Sequence, residues 1–223
     1  MRLLRCLLPI LLLTALLRPL SARAAEPAKP PFEEDIEAFE AADRAHAPAP
    51  GAVLFVGSSS IRFWTTLDQD FPGVATINRG FGGSHVYDCS RYAPRIVIPY
   101  RPRLIVFYAG DNDVADGRKP CEILSDFKTF VTKVRAAQPG VPIVFLSIKP
   151  SLERWKLVGQ IREANALIRQ YAARAKGIRY VDVFTPMLGP GGLPRKELFR
   201  EDGLHMTPAG YELWTRLVAP LIR

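Results

Sequence analysis

The sequence predicts an α/β fold: a parallel sheet with helices on both faces. Three observations carry this. Short, continuously apolar runs alternate with segments of helical periodicity. The runs lack the apolar–polar alternation of a sheet with one wet face, so their strands are buried on both sides. Glycine-rich and polar segments follow the runs, where an open parallel sheet collects its ligands.

The elements follow in order. Residues 25–31 are rich in Ala and Pro and read as a linker. Phe32, Ile36 and Phe39 recur at helical spacing with acids between them, predicting an amphipathic helix over 33–46. The first apolar run is Ala52–Val56, closing on Gly57, and the second is Val74–Ile77. The third, Leu104–Tyr108, ends near Gly110, and the fourth is Ile143–Leu146. The fifth, Ile178–Val183, alternates more, as suits a strand near an edge. Ile123, Leu124, Phe127, Phe130, Val131 and Val134 share one helical face, as do Ile161, Ala164, Leu167, Ile168 and Tyr171. Thr207 is a suitable N-cap with Pro208 at the first helical position. Tyr211, Trp214, Leu217, Val218 and Leu221 give that last helix its apolar stripe.

The first 24 residues stand apart. Arg2 and Arg5 precede the apolar stretch Leu7–Leu17, and Ala22-Arg23-Ala24 offers a small-x-small cleavage site. This is the order of a secretory signal peptide. The apolar stretch is about half of the ~20 residues a membrane span needs, so an uncleaved anchor is the weaker reading. The expectation is an exported protein, periplasmic or secreted, with no stable membrane anchor after cleavage and one domain over 32–223. Across 223 residues, 30 Lys+Arg against 22 Asp+Glu give a formal charge of +8. Four of the arginines and no acid lie in the first 24 residues, leaving +4. The densest remaining basic stretch, Arg91, Arg95, Arg101 and Arg103, is interrupted by Pro94, Pro99 and Pro102. No run of five or six like charges remains, which argues against a nucleic-acid partner. Beyond Cys6, the even pair Cys89 and Cys121 predicts one disulfide in an oxidising compartment, the alternative being two buried free thiols.

Four polar segments gather at the expected strand ends. They are Gly57-Ser58-Ser59-Ser60, the stretch Asn78–His85, Ala109–Asp113, and Glu201–His205 ahead of the last helix. A serine nucleophile needs a base, and the base needs an orienting group. Asp202 and His205 stand at i, i+3, close enough for a carboxylate to fix the imidazole tautomer. A serine at a glycine-led turn into a helix presents its hydroxyl beside free backbone N–H groups. The run of three serines supplies a nucleophile and a helix cap, and Ser58, Ser59 and Ser60 compete for the two roles. Backbone N–H groups at the glycine turn and the Asn112 amide are suited to stabilise an oxyanion.

Taken in order, these segments resemble the four blocks of the SGNH hydrolase superfamily, also called GDSL esterases and lipases, from about Ala52 to Tyr211. The resemblance implies that Ser59 is the nucleophile, His205 the base and Asp202 its orienter. It implies an oxyanion hole of the Ser59 and Gly83 N–H groups and the Asn112 amide. It also implies a flavodoxin-like three-layer α/β/α sandwich with a central five-stranded parallel sheet, two-step ester hydrolysis, and no metal or organic cofactor. One position departs: Ser58 stands where the family usually has Asp before the nucleophile. Gly82 adjoins Gly83 and is a second choice for the donor.

Competing readings are weaker. Ile61 stands where a G-x-S-x-G elbow needs its second glycine. Asp111, Asp113 and Asp116 lack the spacing of an EF-hand loop. His85 is expected to contact substrate, the alternative being that it faces solvent, and Trp155 to pack rather than form a sugar platform. With no long apolar lid segment in the sequence, the expected substrate is a small or short-chain acyl ester, with O-acetylated carbohydrate one such class. An acyltransferase using the same residues and a silent binding module are the alternatives.

Overall fold

Each apolar run becomes a strand, and the run's alternate residues feed two separate cores. The computed structural model describes residues 29–222. The expected signal peptide, residues 1–24, and the linker up to residue 28 lie outside the described residues. From Pro31 the chain forms one compact unit. In chain order its elements are α1 (Glu33–Ala45), β1 (Val53–Gly57), α2 (Ser59–Arg62), α3 (Leu67–Asp70) and β2 (Thr76–Gly80). There follow α4 (Val86–Ile96), β3 (Leu104–Tyr108), α5 (Asp111–Ala115), α6 (Pro120–Ala137) and β4 (Ile143–Leu146). Last come α7 (Val158–Arg174), β5 (Ile178–Val181) and α8 (Pro208–Ile222).

The five strands are all parallel, in the order β2-β1-β3-β4-β5. This is the flavodoxin-like order, with its switch point between β1 and β3. The strand period of two sorts the side chains. Leu54 and Val56 join a core with residues of α1, α4, α6 and α7, while Val53 and Phe55 join one with α2, α3 and α8. Three layers result. β1, β3 and β4 are buried along their whole lengths, which is why they read as unbroken apolar runs.

Strand register sets the position of the site. Gly57 at the end of β1 lies opposite Gly80 of β2 on one side and Tyr108 of β3 on the other. The segments after these three residues therefore emerge side by side at one sheet edge.

Three expectations are corrected, and one helix is added. The second strand starts later than Val74 and runs through Asn78 and Arg79. The Val74 N–H closes a turn onto the Phe71 carbonyl, and the polar strand residues find partners of their own. Asn78 Nδ2 donates to the Ile61 carbonyl at 2.8 Å, and Arg79 pairs with Asp43 at 2.5 Å. The fifth strand stops at Val181, because the N–H groups of Val183 and Phe184 turn to Ser147 Oγ, each at 2.9 Å. The region interrupted by prolines holds α4, with Pro94 inside it. A proline there strips one carbonyl of its helical donor. That carbonyl, Ser90 O, receives Lys133 Nζ at 3.0 Å instead. Finally, Cys89 and Cys121 are both free, the first buried in α4 and the second exposed at the start of α6.

Candidate active site

Gly57 ends β1 with φ 153, and a Cβ there would sit 1.8 Å from the Tyr108 carbonyl oxygen. Only glycine lets β1 turn this close to β3. Ser58 follows as the N-cap position and is fully buried. Ser60 is also buried. Ser59 opens α2 with its side chain only partly covered, so it is the serine of the three that faces the edge. Its N–H belongs to the first helical turn, which has no acceptor within the helix.

His205 reaches Ser59 from the loop before α8. Its Nε2 lies 3.0 Å from Ser59 Oγ, and its Nδ1 lies 2.6 Å from Asp202 Oδ2. A carboxylate on Nδ1 fixes the proton there and leaves Nε2 to accept from the hydroxyl. Asp202 is itself held by its own loop: Oδ1 accepts the N–H groups of Leu204 and His205, each at 2.9 Å. Burial works to raise the Asp202 pKa, but the His205 bond and the two N–H bonds outweigh it and bring it down to about 2. Phe63 stands edge-on to the imidazole with ring centroids 5.0 Å apart, and the Arg200 guanidinium covers the Phe63 ring. The His205 side chain stays 23% exposed and Asp202 47%, so the relay opens to solvent.

The glycine turn between β2 and α4 comes beside Ser59. A Cβ on Gly82 would lie 4.0 Å from Ser59 Cβ. Gly83 adopts φ 81, a conformation that L side chains rarely take. Asn112, in α5, completes the arc. Its Nδ2 donates to the Ser84 carbonyl at 3.0 Å, and its Oδ1 accepts from Arg154 Nη1 at 3.0 Å. The five expected residues Ser59, Gly83, Asn112, Asp202 and His205 thus come from three neighbouring strand ends and one loop.

His85 behaves otherwise. Its Nδ1 lies 3.1 Å from Asp88 Oδ2 and its Nε2 2.6 Å from Asp116 Oδ2, while its ring stacks on Tyr87. Both nitrogens are taken by carboxylates, so the expected substrate contact has no free nitrogen to make it. Burial lowers the His85 pKa, but the Asp116 bond and the Asp113 and Asp88 charges outweigh it and raise it overall. Asp113 is fully buried beside it and accepts the Val86 N–H on both oxygens, at 3.2 and 3.1 Å. Burial pushes this carboxyl up to about 7, against the opposing pull of His85, the N–H bonds and Arg118. Asp113 joins the two oxyanion-side loops, which is a bracing role.

Sequence reasoning missed Lys149 and Arg154. Lys149 follows β4, is 1% exposed, and donates to Asp111 Oδ2 at 2.9 Å. Arg154 Nη1 lies 3.4 Å from the same oxygen. The available signal was position: a lysine three residues after a fully apolar strand falls at the edge where the loops after the strands gather. Among the described residues, no group of three or more His, Cys, Asp or Glu converges as a metal site, and no helix is long and apolar enough to cross a membrane.

Known structures share this fold. A GDSL-like lipase from Bacteroides thetaiotaomicron superposes with a TM-score of 0.74 at 24% identity, covering 84% of this chain and 97% of its own. A member of the lipolytic G-D-S-L family from Veillonella parvula gives a TM-score of 0.63 at 17% identity, covering 76% and 97%. A carbohydrate esterase family 3 protein from Talaromyces cellulolyticus gives 0.60 at 19%, covering 76% and 94%. At these identities the likeness speaks for the fold. No curated protein matches the sequence. The GDSL-like Lipase/Acylhydrolase family matches residues 51–213, most of the chain and every segment of the site. With its five-stranded parallel sheet and the serine, asparagine, aspartate and histidine at one edge, this chain belongs to that family of ester hydrolases.

Proposed function

We propose that the protein is a serine esterase that hydrolyses small or short-chain acyl esters by way of an acyl-enzyme. Ser59 Oγ attacks the acyl carbon as its proton passes to His205 Nε2. Asp202 holds the imidazole and balances the imidazolium. The oxyanion meets the N–H groups of Ser59 and Gly83 and the free Nδ2 hydrogen of Asn112. His205 then protonates the leaving alcohol, and water, activated by the same imidazole, releases the acid.

The observation that supports this reading is the continuous relay Ser59 Oγ–His205 Nε2, 3.0 Å, and His205 Nδ1–Asp202 Oδ2, 2.6 Å. Ser58 and Ser60 are buried and have no such contact, which favours Ser59 as the nucleophile. The exposure of His205 and Asp202 gives water a path for deacylation, which favours hydrolysis over transfer. Export directed by the first 24 residues is part of the proposal. It would bring the enzyme to acyl groups outside the cytoplasm, O-acetylated carbohydrate among them.

The test is turnover of p-nitrophenyl acetate by the wild type beside Ser59→Ala and His205→Ala. The expected outcome is activity in the wild type and a loss of about 10⁶-fold in kcat in either variant. A wild type without turnover, or an undiminished Ser59→Ala, contradicts it.

A further inference from the structure

Beneath Asn112 lies a group of charges that the esterase reading leaves without a task. Asp111 and Lys149 are 5% and 1% exposed and paired at 2.9 Å. Arg154 approaches the same carboxylate oxygen at 3.4 Å and is 18% exposed. Two cations thus share one carboxylate, and the cluster carries one positive charge in excess. Burial acts to raise the Asp111 pKa, but the Lys149 and Arg154 charges outweigh it, so the carboxylate stays ionised. The surplus is directed. Arg154 Nη1, still within reach of Asp111, donates at 3.0 Å to Asn112 Oδ1.

That bond has two consequences. With Oδ1 receiving Arg154 and one Nδ2 hydrogen given to the Ser84 carbonyl, the amide has one orientation, and its second Nδ2 hydrogen is left over. A cation donating to the amide oxygen also polarises the group and strengthens the N–H opposite, as hydrogen bonds in series do. The segment carrying Arg154 is tied to the histidine loop as well: the N–H groups of Leu152 and Glu153 both donate to the Gly203 carbonyl, at 2.9 and 3.1 Å. Arg154 therefore spans the two parts of the site.

We propose that Arg154, seated by the buried Asp111–Lys149 pair, is a positioning residue that orients and polarises the Asn112 amide for the oxyanion. This rests on the esterase reading. Arg154 acts through Asn112, so its contribution belongs to the transition state rather than to substrate binding.

The experiment compares wild type, Arg154→Met, Arg154→Lys, Asn112→Ala and the double variant Arg154→Met/Asn112→Ala on p-nitrophenyl acetate. Arg154→Met leaves Asp111 paired with Lys149, so the buried carboxylate keeps a partner. Its kcat is expected to fall by about ten- to a hundred-fold with KM within about two-fold of wild type. Arg154→Lys, which keeps a cation, recovers part of the loss. In the Asn112→Ala background the same substitution should change kcat by less than about two-fold, since the residue it acts through is gone. An equal loss in both backgrounds, or a change confined to KM, overturns the proposal.

A second readout keeps the two readings distinguishable. The Asn112 side-chain amide resonances, assigned by their disappearance in Asn112→Ala, should move in Arg154→Met. If the wild type has no turnover, the esterase reading fails and these resonances alone decide. Unmoved resonances overturn the positioning role, and displaced ones support it.

Discussion

Asp202 and His205 lie three residues apart on one loop, 47% and 23% exposed, and their carboxylate–imidazole bond closes within that loop. Asp111, Lys149 and Arg154 come from two segments about forty residues apart, and the first two are all but excluded from water. The first region is local and wet, and the second is assembled by the fold and dry. The difference separates chemistry from stability. Exposed charges are screened, and their contribution to stability is small. A change in the loop should therefore remove activity and spare the fold. Buried charges left without a partner are strongly destabilising, so a change beneath Asn112 should reach both.

The largest expected effect breaks the loop. Asp202→Asn keeps the side-chain shape but removes the acceptor that fixes the His205 tautomer. We expect kcat to fall by about 10⁴-fold while the urea unfolding midpoint stays near that of wild type. A comparable loss of stability would show that Asp202 braces the fold instead.

The next effect belongs to the dry region. Lys149→Met removes the nearer partner of the Asp111 carboxylate and leaves only Arg154 at 3.4 Å. Loss of about 3 kcal/mol in unfolding free energy is expected, the low end for a broken buried pair because one cation remains. Urea unfolding measures it, and an unchanged midpoint would contradict the contrast between the regions.

The smallest effect sharpens the contrast through pH. Asp113 in the folded protein holds its proton up to about 7, against an ordinary value of 3.8, because burial disfavours the charge. His85 is also raised. Groups that bind protons more tightly when folded add stability that is complete below their unfolded values and fades as pH climbs through the folded ones. Asp202 has the opposite sign: its contribution is present above 3.8 and is lost as pH falls through about 2, and exposure keeps it small. Stability should accordingly decline from about pH 4 through about pH 7, and Asp113→Asn should flatten that decline. Equal slopes in wild type and variant would remove Asp113 from the account.

The same contrast explains how far the sequence could be read. The relay was legible because Asp202 and His205 interact within four residues and Ser59 follows a glycine that only a close strand approach requires. The layering was legible because β1, β3 and β4 are buried on both faces and show it as unbroken apolar runs. The end of β2 was not, since Asn78 and Arg79 are polar residues satisfied by Ile61 and Asp43, partners distant in sequence. Pro94 hid α4, because the compensating donor, Lys133, comes from another helix. Lys149 and Arg154 carry no local pattern at all. Their meaning arises only when β4 is laid beside β3, which brings residue 149 within reach of residue 111.

The central claim is that Ser59, and neither of its neighbours, is the nucleophile driven by His205. The most direct measurement is peptide mapping by mass spectrometry after reaction with a serine-directed phosphonate. The account predicts one adduct, on Ser59, lost in Ser59→Ala and formed far more slowly in His205→Ala. An adduct on Ser58 or Ser60, or labelling of Ser59 at an unchanged rate without His205, would contradict it.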